Sequence, residues 1–245
     1  MWVVPGKAGF LPGETVMFHG RYIVMEVLVC LMLTFGIHAA DTNQVALADG
    51  TLMAVLSDGP KPGTNSTWRL CVVLPGGNGN RDSAVYAIGF IGPELVRRGW
   101  TVVTPVSPDG EPFFGANGRL VPALVDALEK KAGIDGGTAL IAGLSNGGIG
   151  AIEIASRYPG RFIGAIAIPG LPSNRMSVQG LKGLHVFLRI GAEDELKWGQ
   201  HYDVAVTELT RAGVKLDARL VPGAHHDVPV DWKELDAWLE TIGKR

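Results

Sequence analysis

Between residues 69 and 221 the chain repeatedly passes from a short run of apolar and β-branched residues into an amphipathic stretch, and glycine or proline marks most of the junctions. The run at 69–74 (RLCVVL) stops at Pro75-Gly76-Gly77, and a continuous apolar run at 138–144 leads straight into Gly147-Gly148 after two polar residues. Strands that are apolar along their whole length need cover on both faces. A helix after each strand supplies that cover and makes the strands parallel. The expected strands are 51–56, 69–74, 100–106, 138–144, 162–168, 184–190 and 216–221. The expected helices are 83–98, 120–132, 149–158, 202–212 and 232–242. Residues 120–132 carry Leu120, Ala123, Leu124, Ala127 and Leu128 at helical spacing. The fold class that follows is α/β: a mostly parallel central sheet with helices on both faces. Ligands of such sheets bind beyond the carboxyl ends of the strands, so chemistry is sought just after each strand.

The rest of the composition narrows the field by exclusion. Twenty-two Lys and Arg against 24 Asp and Glu give a formal net charge of −2, and the basic residues are scattered rather than striped. That distribution points away from nucleic acid. Two cysteines, Cys30 and Cys71, rule out a disulfide framework, and no Cys/His spacing suggests zinc.

Residues 1–45 read differently from the remainder. From Tyr22 to Ala40 the sequence is almost wholly apolar, with Glu26 as its one formal charge, Arg21 before it and Ala39-Ala40 at its end. A positive flank, an apolar centre and a small-residue end are the layout of a secretory signal peptide, and a start at Met17 would supply a short basic lead. The apolar centre at 27–37 is short for a membrane span of ~20 residues. The expectation is an N-terminal extension and signal peptide over 1–40 and one domain over 41–245. The protein would then be secreted or periplasmic, with no stable membrane partner after cleavage; a membrane anchor and a buried helix are the alternatives.

The strongest chemical signal is Gly143-Leu144-Ser145-Asn146-Gly147-Gly148, between an expected strand and an expected helix. A G-x-S-x-G turn in that setting is a nucleophile elbow, which lifts a serine oxygen above the sheet edge at a helix N-terminus. A serine hydroxyl needs a base, and the base an orienting carboxylate, in chain order Ser, acid, His. After the strand 184–190 comes Gly191-Ala192-Glu193-Asp194-Glu195, where Asp194 is the expected acid with a carboxylate on either side. After the last strand comes Pro222-Gly223-Ala224-His225-His226-Asp227, where either histidine can be the base. Acyl transfer also needs donors aimed at the oxyanion. The N–H of Asn146 is one, and the loop Pro75-Gly76-Gly77-Asn78-Gly79 offers the second from Gly77 or, failing that, Asn78. No cofactor or metal is required by this set.

These motifs resemble the α/β-hydrolase superfamily over roughly residues 68–242. Leu74 to Gly79 looks like the oxyanion loop that usually reads His-Gly-Gly, with Pro75 at the histidine. The GLSNGG elbow is similar to that of polyhydroxybutyrate-depolymerase-like, feruloyl-esterase-like and phospholipase/carboxylesterase-like members. Tyr158-Pro159 and Arg161-Phe162 resemble the stretch that follows the elbow helix. Pro222 to His226 is similar to the family's Gly-x-Gly-His; the match implies His226 as the base and puts His225 at a usual glycine. The resemblance implies a serine hydrolase acting on a small-molecule carboxylic ester through Ser145, His226 and Asp194, with thioesterase, peptidase or a non-catalytic binding protein as rivals. Only residues 169–183 separate two consecutive strands where many members insert a lid, so a minimal cap and an open cleft are expected. Asn78, Phe113, Phe114 and Trp198 are the candidate substrate contacts.

Overall fold

Eight strands pair into one sheet in a computed structural model that describes residues 41–59, 67–131, 133–137, 139–173 and 177–243. The strands are β1 (Asp41–Ala46), β2 (Leu52–Asp58), β3 (Arg69–Leu74), β4 (Trp100–Pro105), β5 (Leu140–Gly143), β6 (Gly164–Ala167), β7 (His185–Gly191) and β8 (Lys215–Val221). Their spatial order is β1-β2-β4-β3-β5-β6-β7-β8. From β4 to β8 every pairing is parallel, whereas β1 on β2 and β2 on β4 are antiparallel. Five α-helices are found among the described residues: α1 (Arg81–Arg97), α2 (Leu120–Glu129), α3 (Asn146–Arg157), α4 (Tyr202–Arg211) and α5 (Trp232–Ile242). The α/β-hydrolase arrangement expected from the sequence is the arrangement found.

The two faces of the sheet can be read from alternate residues, because successive strand side chains point to opposite sides. In β3, Leu70, Val72 and Leu74 join a cluster with α2, α3 and α4, while Cys71 and Val73 join a second cluster with α1 and α5. In β7, Val186, Leu188 and Ile190 face the first cluster and Phe187 the second. The Trp238 ring of α5 packs on Phe187 with ring centroids 5.7 Å apart. Each large side chain buried in this way contributes about 1.5–3 kcal/mol, and a one-residue slip would carry every one of them to the opposite face and into the wrong cluster.

Two helices start on side-chain caps. Asn80 accepts from the Ser83 N–H at the start of α1, and Asp231 accepts from the N–H groups of Lys233 and Glu234 at the start of α5. Such a cap is worth ~1 kcal/mol. Buried Arg189, in the middle of β7, is held by Asp217 at 2.9 Å and Glu234 at 3.1 Å, which ties the sheet to the first turn of α5.

Residues 1–40, on which the signal-peptide expectation falls, lie outside the described residues. Among the described residues no helix is long and apolar enough to cross a membrane.

Candidate active site

The parallel strands all end on one side of the sheet, and the loops after β3, β5, β7 and β8 meet there. After β5 the chain turns so sharply that Ser145 takes φ 56° and ψ −120°, a conformation that side chains other than glycine rarely adopt. Such backbone costs on the order of 1–3 kcal/mol and persists only where its surroundings over-determine it. Here the Ser145 N–H donates to the Pro169 carbonyl at 3.0 Å, and the Gly147 and Ile149 N–H groups donate to Leu144 and Ser145 at 2.8 and 3.1 Å. Close approach of backbone accounts for the flanking glycines. A Cβ on Gly143 would stand 2.0 Å from the Gly147 carbonyl oxygen, and one on Gly147 would stand 2.2 Å from that of Leu74.

The serine hydroxyl lies 2.8 Å from Nε2 of His226, whose Nδ1 lies 2.8 Å from Oδ2 of Asp194. The Asp194 side chain is wholly buried, and its other oxygen accepts from the Leu196 N–H at 2.7 Å. A carboxylate in that setting holds the imidazole in one tautomer, with Nδ1 donating and Nε2 free to accept from the serine. The Trp198 ring packs edge-on against the same imidazole, 5.1 Å between centroids, so it buttresses His226.

The neighbouring histidine goes elsewhere. Nδ1 of His225 lies 2.7 Å from Glu195, both side chains being mostly exposed, while the other Glu195 oxygen accepts from the His226 N–H at 3.1 Å. Glu195 thereby anchors the histidine loop. Its own N–H and that of His226, with the charge of His225, hold its carboxyl below the usual glutamate value. The sequence left two histidines and three carboxylates open; the geometry brings His226 and Asp194 to Ser145 and leaves Glu193 exposed.

The loop after β3 closes the other side. Asn146 donates from its side chain to the Gly77 carbonyl at 2.8 Å, joining this loop to the serine turn. Among the described residues the backbone N–H groups of Gly77 and Asn146 have no protein acceptor, and both residues flank Ser145.

A family model described as "Putative esterase" matches residues 119–242, just over half of the chain. The chain belongs to this esterase family. No curated protein matches its sequence. Among solved structures it is similar to a thermostable esterase, with 17% identity and a TM-score of 0.65 over 85% of this chain and 63% of that one. It is also similar to the Bacillus cereus carboxylesterase, with 18% identity and a TM-score of 0.60 over 79% and 96% of the two chains. The dipeptidyl peptidase 4 of Porphyromonas gingivalis aligns at 12% identity and a TM-score of 0.63, covering 83% of this chain and 35% of that one. The chain therefore spans less than two thirds of the length of the first and last of these relatives. At such identities the likeness is one of fold.

A cleft of about 320 Å³ opens beside Ser145. It is lined by Asp82, Ser83, Tyr86 and Phe90 of α1 and, from other elements, by Ile168, Pro169 and Val228. This α1 wall was not anticipated from the sequence: an amphipathic pattern at 83–98 announces a helix but does not say which loop its partly exposed face will meet. None of the four expected substrate contacts lines this cleft. Phe113 is fully buried in the core, its ring 3.3 Å from where a Gly79 side chain would begin, because the 107–117 loop turns it inward. Phe114 is half-buried and does not line the cleft. The Asn78 side chain caps its own loop by accepting from the Asn80 N–H at 3.3 Å. Trp198 lies behind His226 instead of on the cleft wall.

Proposed function

We propose that this chain is a carboxylesterase working through an acyl-enzyme. The observation that carries the reading is the pair of 2.8 Å contacts linking Ser145, His226 and Asp194 at a strained elbow within an esterase-family chain. In the first step Ser145 Oγ attacks the ester carbonyl as its proton passes to Nε2 of His226. Asp194 stabilises the imidazolium, and the N–H groups of Gly77 and Asn146 face the carbonyl oxygen as it becomes an oxyanion. The imidazolium then protonates the departing alcohol. In the second step His226 takes a proton from water as the water oxygen attacks the acyl carbon; the bond from that carbon to Ser145 Oγ then breaks, the imidazolium returns its proton to Oγ, and the acid leaves. Export of the mature protein, with cleavage near Ala39-Ala40, belongs to the same proposal and is checked by N-terminal sequencing of the secreted product.

A fluorophosphonate probe is expected to label the wild-type protein on Ser145, with peptide mapping by mass spectrometry locating the adduct. The same preparation is expected to hydrolyse p-nitrophenyl butyrate. A protein that takes no label and turns over no ester is not a serine hydrolase.

Glu195 acts at one remove. Replacing it by Gln removes a charged acceptor from the histidine loop at an exposed site, where such contacts are weak, and kcat/KM is expected to fall roughly two- to fivefold. Because its carboxyl titrates below the usual value, the anchor is present above the ordinary glutamate range and is lost as pH falls through the lowered one. The wild type-to-variant difference should therefore fade in strongly acidic buffer. A loss beyond a hundredfold would put Glu195 among the reacting groups.

A further inference from the structure

The two sides of the cleft are joined by a side chain that the proposed reaction does not use. Tyr86, on α1, stacks on Phe90 with centroids 5.8 Å apart and rings 22° from parallel. Its hydroxyl donates at 3.2 Å to Asp227, the residue after His226, so the contact runs from the helix wall to the histidine loop. Tyr86 is 36% exposed and Asp227 is exposed, whereas Leu144, Ile168 and Val228 are 6%, 1% and 1% exposed. The bridge therefore stands on the solvent side of the cleft, and apolar side chains form its inner part. Burial and the Asp227 charge push the Tyr86 hydroxyl up to about 12, so it remains a donor throughout the neutral range.

The lining also limits charge. Among the described residues around the cleft none is Lys or Arg, and the two ionisable groups other than His226 and Tyr86 are the carboxylates of Asp82 and Asp227. An ester bearing its own carboxylate would bring a third negative charge to that mouth with no cation to receive it. A space of 320 Å³ is at the small end for a ligand site.

We propose that the cleft takes uncharged esters with a short apolar chain, and that the Tyr86–Asp227 bridge sets the length of chain it accepts. This rests on the esterase reading above. Each methylene that enters the apolar interior should raise kcat/KM roughly fourfold, until the chain reaches the tyrosine and the gain reverses. Tyr86 is a specificity-determining residue in this account.

The test is a pair of chain-length series: p-nitrophenyl esters from acetate to decanoate, and alkyl acetates with the alcohol lengthened over the same range. Each is run on the wild type, Tyr86→Phe, Tyr86→Ala and Val85→Ala, with p-nitrophenyl monosuccinate as the anionic comparison. In at least one series the wild type should climb and then fall. Tyr86→Ala should carry the fall to longer chains and raise the long-to-short ratio of kcat/KM about tenfold. Tyr86→Phe, which keeps the ring and loses the bridge, should raise it about threefold. Val85 is 48% exposed on the same helix and lines no part of the cleft, so its variant should keep the wild-type profile. The succinate ester should react at least about tenfold more slowly than the butyrate. Superimposable profiles for the wild type and both Tyr86 variants, or a succinate ester as good as the butyrate, would overturn the inference while leaving the esterase intact. If Tyr86→Ala does not fold, the Tyr86→Phe ratio decides. No turnover of any ester by the wild type would overturn the esterase reading itself, and this inference with it.

Discussion

Ser145→Ala is expected to lower kcat/KM by on the order of 10⁴- to 10⁶-fold, and adding His226→Ala to it to cost almost nothing further. In the proposed mechanism the two residues act as one unit: the imidazole 2.8 Å from the hydroxyl matters because it takes that proton, and without the hydroxyl it has nothing to take. His226→Ala alone should be about as damaging as Ser145→Ala, because a serine without its base is a weak nucleophile at neutral pH. His225→Ala is the internal control. That imidazole is engaged with Glu195, so the variant should retain most of its activity. Single-turnover and steady-state kinetics on p-nitrophenyl butyrate, with fluorophosphonate labelling in parallel, separate the cases. Additive losses in the double variant, or a His225→Ala protein as inactive as His226→Ala, would break the proposed assignment.

Gly147→Ala should damage the fold as much as the chemistry. Its Cβ would stand 2.2 Å from the Leu74 carbonyl oxygen, 2.6 Å from the Leu74 carbonyl carbon and 2.7 Å from the Pro75 oxygen. All three are backbone atoms at the end of β3, so no side chain can swing aside and either the strand end or α3 must move. Overpacking in a close-packed site costs about 1–3 kcal/mol and occasionally more. For a domain of this size that corresponds to a fall in Tm of roughly 2–12 °C. Activity should fall further than stability predicts, because the displaced segments carry both the serine and the Gly77 loop. Thermal melts by circular dichroism, with activity measured well below the transition, check the two effects separately. A Tm within a degree of the wild type would show that the approach of β3 to α3 is looser than described.

What the amino-acid sequence makes legible divides along a physical line. β3 and α5 have the boundaries expected of them, because each is a continuous pattern bounded by a strong stop or cap. β1 was not anticipated. Its sequence, DTNQVA, has no apolar run, and it is a strand because β2 supplies a partner ladder from Asp41 to Ala46. α3 begins at Asn146, three residues before the expected start, since Gly147 and Gly148 look like helix breakers but are required by the backbone that presses on them. The site residues named from strand ends lie together, whereas the cleft wall was invisible. A strand end has a fixed address in this architecture; the face of α1 that meets the serine depends on packing between segments some sixty residues apart, about which local pattern is silent.

The residue after the serine is usually written as a free position in this type of turn. Here Asn146 is committed: its side chain grips the Gly77 carbonyl, which ties its own backbone to that of the Gly77 loop. The two donors proposed to receive the oxyanion therefore belong to one rigid bracket, with its span set before any ester arrives. A bracket of fixed span does little of its stabilising work by closing on the substrate. It favours whichever geometry fits it, and a tetrahedral carbon with a lengthened C–O bond reaches both donors better than the planar ester it came from.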